Sequence, residues 1–402
     1  MPSLPLRAVQ MPRSGIRAVM DLAWSTEAEV IRLEVGQPDA TPPAHVLEAM
    51  CDATASGRTG YTPNAGLGEL REACASKLAR INSISVTADQ VLVTAGSMQG
   101  LSVAALALTE PGDEILIPDP GWPNYRMLAE LTSRRAVAYP LDPQVGYVPD
   151  IGRMDSLVSE KTRALILNSP SNPLGTVLDL RIVQSLLEFA ERHDLWVISD
   201  ECYDQIVFDA TIGASISPST AHGDTLPMVA VSPSSLHDST NRIVSVHSFS
   251  KTYAMTGLRV GYVSGPPDAL TTMIKMQEAL IACVNGPAQY GALAALEGPQ
   301  DFVKARKDVY QRRRDRAVQT AIELGLPHES PQGAFYLWLP LDVASGTDLS
   351  LELVQSRGVA VAPGETFGEM GRGAIRVSLA ASESDIVSGL RRIASHLSQT
   401  RH

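Results

Sequence analysis

The stretch SVHSFSKTYAMTGLRVGY, residues 245–262, gathers two hydroxyls (Ser248 and Ser250), an amine (Lys251) and a guanidinium (Arg259) just after an apolar run. Hydroxyls and a planar, permanently charged cation suit a phosphate. The lysine between them is a nucleophile held beside that anion site. Other short stretches carry polar groups in the same way. VTAGSMQG (93–100) closes an apolar run and opens a helix pattern at Ser97 and Met98. Free N–H groups at a helix start favour an anion. DPGWPNY (119–125) sets Trp122 in a Pro/Gly loop, where an indole can stack on a flat ligand or cover the core. NSPSNPLG (168–175) offers Asn168, Ser171 and Asn172, although alone it reads as a proline-stiffened turn. SDECYD (199–204) puts Asp200 and Glu201 at the end of an apolar run, with Tyr203 beside them. A carboxylate there costs free energy unless it meets a cation or a strong donor.

Each of these stretches has a plain structural explanation; their occurrence in order does not. Together they suit pyridoxal phosphate. That cofactor needs an amine to bond to its aldehyde, an acid that keeps its ring nitrogen protonated, and an anchor for its phosphate. A metal is not expected, because the eight histidines show no H-E-x-x-H or related spacing.

The elements that must position these groups follow one rhythm. Short apolar strands are expected at 91–95, 114–118, 136–140, 164–168, 195–199, 243–247 and 259–263, with helices between them such as 69–81 and 180–193. This alternation predicts an α/β fold: a large domain with a mostly parallel sheet between helices, whose ligand lies at the carboxyl ends of the strands. From about residue 286 the pattern changes to a long helix (302–325), strands at 334–339, 358–363 and 374–380, and a closing helix at 384–399. The expected organisation is a large cofactor-binding domain at 46–285 and a smaller α+β domain at 286–402, joined by the N-terminal segment 1–45. Segment 210–241 is rich in Ser, Pro, Gly and Asp and reads as a long loop, a surface insertion or a lid.

Composition narrows the class. The 402 residues are 44% hydrophobic and 19% charged, as in a soluble globular protein with a large core. The net charge of −11 argues against nucleic acid or an anionic membrane as partner. The basic run KARKDVYQRRRDR is interrupted by Asp308 and Asp315 and suits a solvated helix face. Four scattered cysteines form no framework, which fits a reducing compartment, and the N-terminus has no secretory h-region; a cytoplasmic location is expected.

The Lys251 stretch, taken with NSPSNPLG and SDECYD, resembles the fold-type I pyridoxal-phosphate aminotransferases of class I/II, the aspartate-aminotransferase-like family. The resemblance runs from PRSGIR (12–17) to IRVSLA (375–380). It implies that Lys251 bonds to the cofactor and then moves a proton at the substrate Cα. Asp200 would pair with the ring nitrogen, Tyr203 and Asn172 with the ring oxygen, and Trp122 would stack on the ring. Ser97, Met98, Ser248, Ser250 and Arg259 would hold the phosphate. Tyr61, in GYTPNAGLGELR (60–71), would reach the partner subunit's phosphate in a homodimer with shared active sites. Arg376, in AIRVSLA, would bind the substrate carboxylate, with Gly36, in LEVGQPD, closing over it.

The activity implied is transfer of an amino group between an L-amino acid and a 2-oxo acid. Some acidic-substrate relatives carry a lysine where this chain has Met98, so neutral, aliphatic or aromatic substrates are expected. The alternatives are an aspartate/glutamate-type aminotransferase, with a cation such as Arg13 supplying the charge, or a lyase, synthase or oxidase on the same scaffold. An effector-sensing regulator is not expected, since the VGQPD motif falls within the first forty residues and leaves no room for a DNA-binding domain before it.

Overall fold

The computed structural model describes residues 3–5, 9, 11, 13–208, 228–236 and 240–400. Two sheets organise them. The smaller begins with β1 (Ile31–Leu33), far from its neighbours in sequence. The larger contains β2 (Val91–Thr94), β3 (Glu114–Asp119), β4 (Arg135–Pro140), β5 (Thr162–Asn168), β6 (Trp196–Asp200), β7 (Ile243–Ser248) and β8 (Gly261–Ser264). Its spatial order is β2-β8-β7-β6-β5-β3-β4. All its strands run the same way except β8, which is antiparallel to both neighbours. The expected α/β fold with a mostly parallel sheet is therefore the observed one.

Both faces of this sheet are covered, and the side chains divide by the two-residue period of a strand. Ile115, Ile117, Ile166 and Ile198 pack with Leu101, Val103 and Ala104 of the helix Ser97–Leu108. Leu116, Leu165, Leu167 and Val197 point the other way, against Val183, Leu186 and Phe189 of the helix Leu180–Arg192. That helix starts where its sequence says it should: the Asp179 side chain accepts from Ile182 N–H at 2.9 Å.

The second sheet is completed by β9 (Tyr336–Pro340), β10 (Val359–Pro363) and β11 (Ala374–Ser378), in the order β1-β10-β11-β9. Its core collects Leu33, Phe335, Leu337, Leu339, Val361 and Ile375 with Ile386, Leu390 and Ile393 of the closing helix Glu383–Thr400. The basic run lies on the helix Asp301–Glu323 and is less solvated than expected. Arg313 pairs with Asp39 at 2.6 Å, and Arg314 donates to Pro331 O at 2.8 Å. Most of the 210–241 segment lies outside the described residues; of the rest, Ala230 N–H reaches Asp204 O at 2.9 Å. Among the described residues no helix is long and apolar enough to cross a membrane.

Candidate active site

The parallel strands deliver their carboxyl ends to one edge. Asn168 and Asp200 are register partners at the ends of β5 and β6, and β7 ends beside them at Ser248. A cavity of about 440 Å³ opens there. Gly36, Ser97, Met98, Trp122, Asn172, Asp200, Tyr203, Ser248, Ser250, Lys251, Arg259 and Arg376 all line it. Tyr61 does not; it is 94% exposed and faces away from the protein's own core. Arg13 lines a separate, smaller cavity, while Arg17, unremarked in the sequence, lines the main one.

One end of the cavity is built for an anion. Gly96 caps the helix Ser97–Leu108 with φ 78, and a side chain there would strike the Arg259 guanidinium. A side chain at Gly261 would come within 2.8 Å of Ser97 N. The two glycines let the guanidinium and the helix start share one place. Arg259 itself has φ 54, a costly conformation for a residue with a Cβ that surrounding structure must impose. Its Nη1 is fixed to Thr256 O at 2.7 Å.

The middle of the cavity holds Lys251 and Asp200. Lys251 Nζ donates to Gly36 O at 2.6 Å. Burial pulls its pKa down to about 8, with the nearby Arg376 and Arg259 adding to the effect, so a free amine is accessible near neutral pH. Asp200 is buried. It accepts from Tyr125 Oη at 2.6 Å and from Cys202 N–H at 3.3 Å. Burial raises its pKa, and these hydrogen bonds with Cys202 and Tyr125 oppose that. Among the described residues no cation lies within ion-pair distance of it. A protonated ring nitrogen would supply the missing charge.

The far end holds Arg376, 2% exposed. Its Nη1 donates to Asn172 Oδ1 at 2.8 Å and its Nη2 to Glu34 O at 2.6 Å, while Nε is buried without a partner. Its guanidinium lies over the Tyr336 ring at 4.2 Å. A buried guanidinium with a spare donor and no ion-paired carboxylate is set for a substrate carboxylate. Tyr203 Oη and Tyr336 Oη are 2.7 Å apart, and a side chain at Gly36 would collide with Tyr336. The donor set, the uncompensated Asp200 and the amine together fit pyridoxal phosphate.

Sequence reasoning missed Tyr125, Tyr336, Arg17 and Glu34. Tyr125 stood at the end of the DPGWPNY stretch, and Tyr336 in the strand that pairs with Arg376's strand. Their meaning comes from the fold, which brings them to Asp200 and Arg376.

A family model for aminotransferase class I and II matches residues 28–393. The chain belongs to this family. It is a pyridoxal-phosphate-dependent aminotransferase of fold type I. The aspartate/prephenate aminotransferase of Thermus thermophilus is 33% identical over 392 residues, 96% of this chain and 93% of that protein. A bifunctional aspartate aminotransferase and glutamate/aspartate-prephenate aminotransferase of Petunia hybrida is 35% identical, covering 90% of this chain and 76% of its own. Among solved structures, a Thermus thermophilus aspartate aminotransferase mutant superposes with TM-score 0.89 at 31% identity, covering 98% of this chain and all of that one. An aromatic aminotransferase from Pyrococcus horikoshii gives 0.85 at 32% identity, with 95% and 99% covered.

Proposed function

We propose that this aminotransferase takes its amino group from a neutral, aliphatic or aromatic L-amino acid and passes it to a 2-oxo acid. The observation that carries the reading is the cavity lining, which includes the apolar side chains of Ile16, Met20 and Met98. Met98 offers no charge; its sulfur instead accepts from Asn124 Nδ2 at 3.4 Å. An apolar side chain gains by burial there, about 25 cal/mol for each Å² removed from water.

Bound pyridoxal phosphate supplies the electron sink that acidifies the substrate Cα–H and the aldehyde carbon that carries the amino group. The chain's residues do the rest. Arg376 holds the α-carboxylate in two-point contact and so fixes the Cα–H direction. Lys251 takes the Cα proton as a base and returns it, which its lowered pKa allows. Asp200, held by Tyr125 Oη and Cys202 N–H, would pair with the protonated ring nitrogen. Ser97, Ser248, Ser250 and Arg259 would anchor the phosphate, and Trp122 would stack on the ring. Tyr61 completes the neighbouring site in a homodimer, which accounts for a tyrosine left fully exposed on one chain. The same reading keeps residues 46–285 as the cofactor-binding domain and 286–402, with 1–45, as the smaller one.

The names of the relatives favour a second reading, an aspartate-type donor. Steady-state kcat/KM for leucine, methionine and phenylalanine against aspartate and glutamate separates the two. Higher values for the first group support the proposal; values at least tenfold higher for the acidic pair replace it with the second reading.

A further inference from the structure

We infer that Arg313 and Arg306 are positioning residues for amino transfer: from the helix Asp301–Glu323 they keep segment 34–43, and with it Gly36, over the cavity once Lys251 and Arg376 are engaged with cofactor and substrate. The inference rests on the amino-transfer reading above, but not on which amino acid is the donor.

The segment carries no helix or strand. It joins β1 to the helix Ala44–Ala55, and Pro38, Pro42 and Pro43 have no N–H to donate. Side chains from other elements hold it. Two act at its inner end: Arg376 Nη2 donates to Glu34 O at 2.6 Å, and Lys251 Nζ donates to Gly36 O at 2.6 Å. Amino transfer needs both donors elsewhere, Lys251 for the cofactor and the Cα proton and Arg376 for the α-carboxylate. The inner holds therefore weaken while the reaction runs.

The outer end is held by groups the chemistry does not use. Arg313 grips Asp39 at two points, Nη1 to Oδ1 at 3.1 Å and Nη2 to Oδ2 at 2.6 Å. A forked contact of this kind fixes direction as well as distance. Arg306 lies two turns earlier on the same side of the helix. It donates from Nη2 to Thr41 O at 3.0 Å and from Nη1 to Thr252 O at 3.3 Å. Thr252 directly follows Lys251, so one guanidinium ties segment 34–43 to the chain that carries the amine. The helix is a firm base, because Tyr310, Ala317 and Ala321 bury it in the core of the four-stranded sheet. Gly36 has little room to drift: a side chain there would strike Tyr336 Oη, and the Tyr336 ring lies 4.2 Å from the Arg376 guanidinium. Any shift of Gly36 is felt at the α-carboxylate site.

The test uses Arg313→Gln, Asp39→Asn, the two combined, and Arg312→Gln, which removes an exposed charge from the same helix. In the cofactor-loaded protein, kcat and KM are measured with leucine, methionine, phenylalanine, aspartate and glutamate. Hydrogen exchange of amides in 35–41 is followed with and without pyridoxal phosphate. In Arg313→Gln, KM should rise about fivefold for every amino acid that reacts, with kcat within about twofold. The lost contact weakens bound substrate and transition state alike, and a half-exposed ion pair is worth no more. Asp39→Asn should match it, and the double variant should be no worse than either single one. Exchange in 35–41 should quicken at least about fivefold in loaded Arg313→Gln, but less than about twofold without cofactor, where Lys251 still holds Gly36. Equal quickening in both states would make the ion pair merely structural and overturn the inference. So would unchanged exchange, a lower kcat with KM unchanged, additive losses in the double variant, or the same rise in KM in Arg312→Gln. A panel in which only the acidic amino acids react would sink the neutral-donor proposal alone, because the exchange comparison judges the arginines without turnover.

Discussion

Tyr125 Oη lies 2.6 Å from Asp200 Oδ2, with both side chains buried, so the carboxylate proposed to pair with the cofactor's ring nitrogen is itself held by a phenol. Trp122 meets Tyr125 edge to face at 5.6 Å, so the residue proposed to stack on the cofactor ring shares the same support. Tyr125→Phe keeps that contact and removes only the hydroxyl. Asp200 then rises further above the usual carboxylate range, because burial already pushes it up and one opposing hydrogen bond is gone. We predict a fall in kcat of about tenfold with KM little changed, from the loss of one hydrogen bond to a charged group. The acidic limb of the kcat–pH profile should move to higher pH. An unchanged profile would show that Asp200 does not depend on Tyr125.

The lowered pKa of Lys251 has a direct readout in cofactor-free protein. Its amine should react with an acylating or reductively methylating reagent along a titration centred near 8, far below an ordinary lysine. Peptide mapping after brief labelling at several pH values checks this. Lys251→Ala should cut amino transfer by at least about 10²-fold, the usual worth of a general base. Labelling of Lys251 only at the pH typical of surface lysines would contradict the account.

Much of this was legible in the sequence, and the reason is physical. The strands, the helices between them and the turns that carry Ser97, Asp200 and Lys251 are local features written in two-residue and helical periods. The seven-stranded sheet needs only that rhythm. Tyr125, Tyr336 and Arg17 were not legible, because their neighbours lie on other elements. Tyr125 is 75 residues from Asp200, and no spacing rule links them. Strand β1 was equally hidden: three residues pair with Val359, Ala360 and Val361 across the whole chain.

Glu201, next to Asp200, sets a pH dependence of stability. It is buried, its Oε1 accepts from Ser232 Oγ at 2.7 Å, and its other oxygen is 4.0 Å from His247 Nε2. Burial holds His247 neutral by lowering its pKa to about 3, so it gives no countercharge. Burial raises Glu201 to about 7. A raised carboxylate binds its proton more tightly in the folded state. The stability this gives is present below about pH 4.5 and is lost as pH rises through 7. Glu201→Gln should therefore gain on the unsubstituted protein as pH rises, by on the order of 3 kcal/mol between pH 4 and pH 8. Urea unfolding at both values measures it; an equal difference at the two would refute the assignment.

The shared-site homodimer has its own test. Lys251→Ala and Tyr61→Ala variants should each be nearly inactive. In a mixed dimer, the site containing Lys251 receives Tyr61 from the other chain and is intact. Unfolding, mixing and refolding the two should restore activity that neither has alone. No recovery, with dimers formed, would place Tyr61 outside the neighbouring site.

The central claim is that this cavity moves an amino group from substrate to cofactor and back. The most direct test is the single half-reaction followed by cofactor absorbance. The loaded protein is mixed with one amino acid and no oxo acid, then with an oxo acid. The account predicts stoichiometric conversion to the amine form of the cofactor with release of the matching 2-oxo acid, reversed by the added oxo acid and absent in Lys251→Ala. A cofactor band that never converts, or that returns unaided while ammonia, peroxide or an eliminated fragment appears, would contradict it.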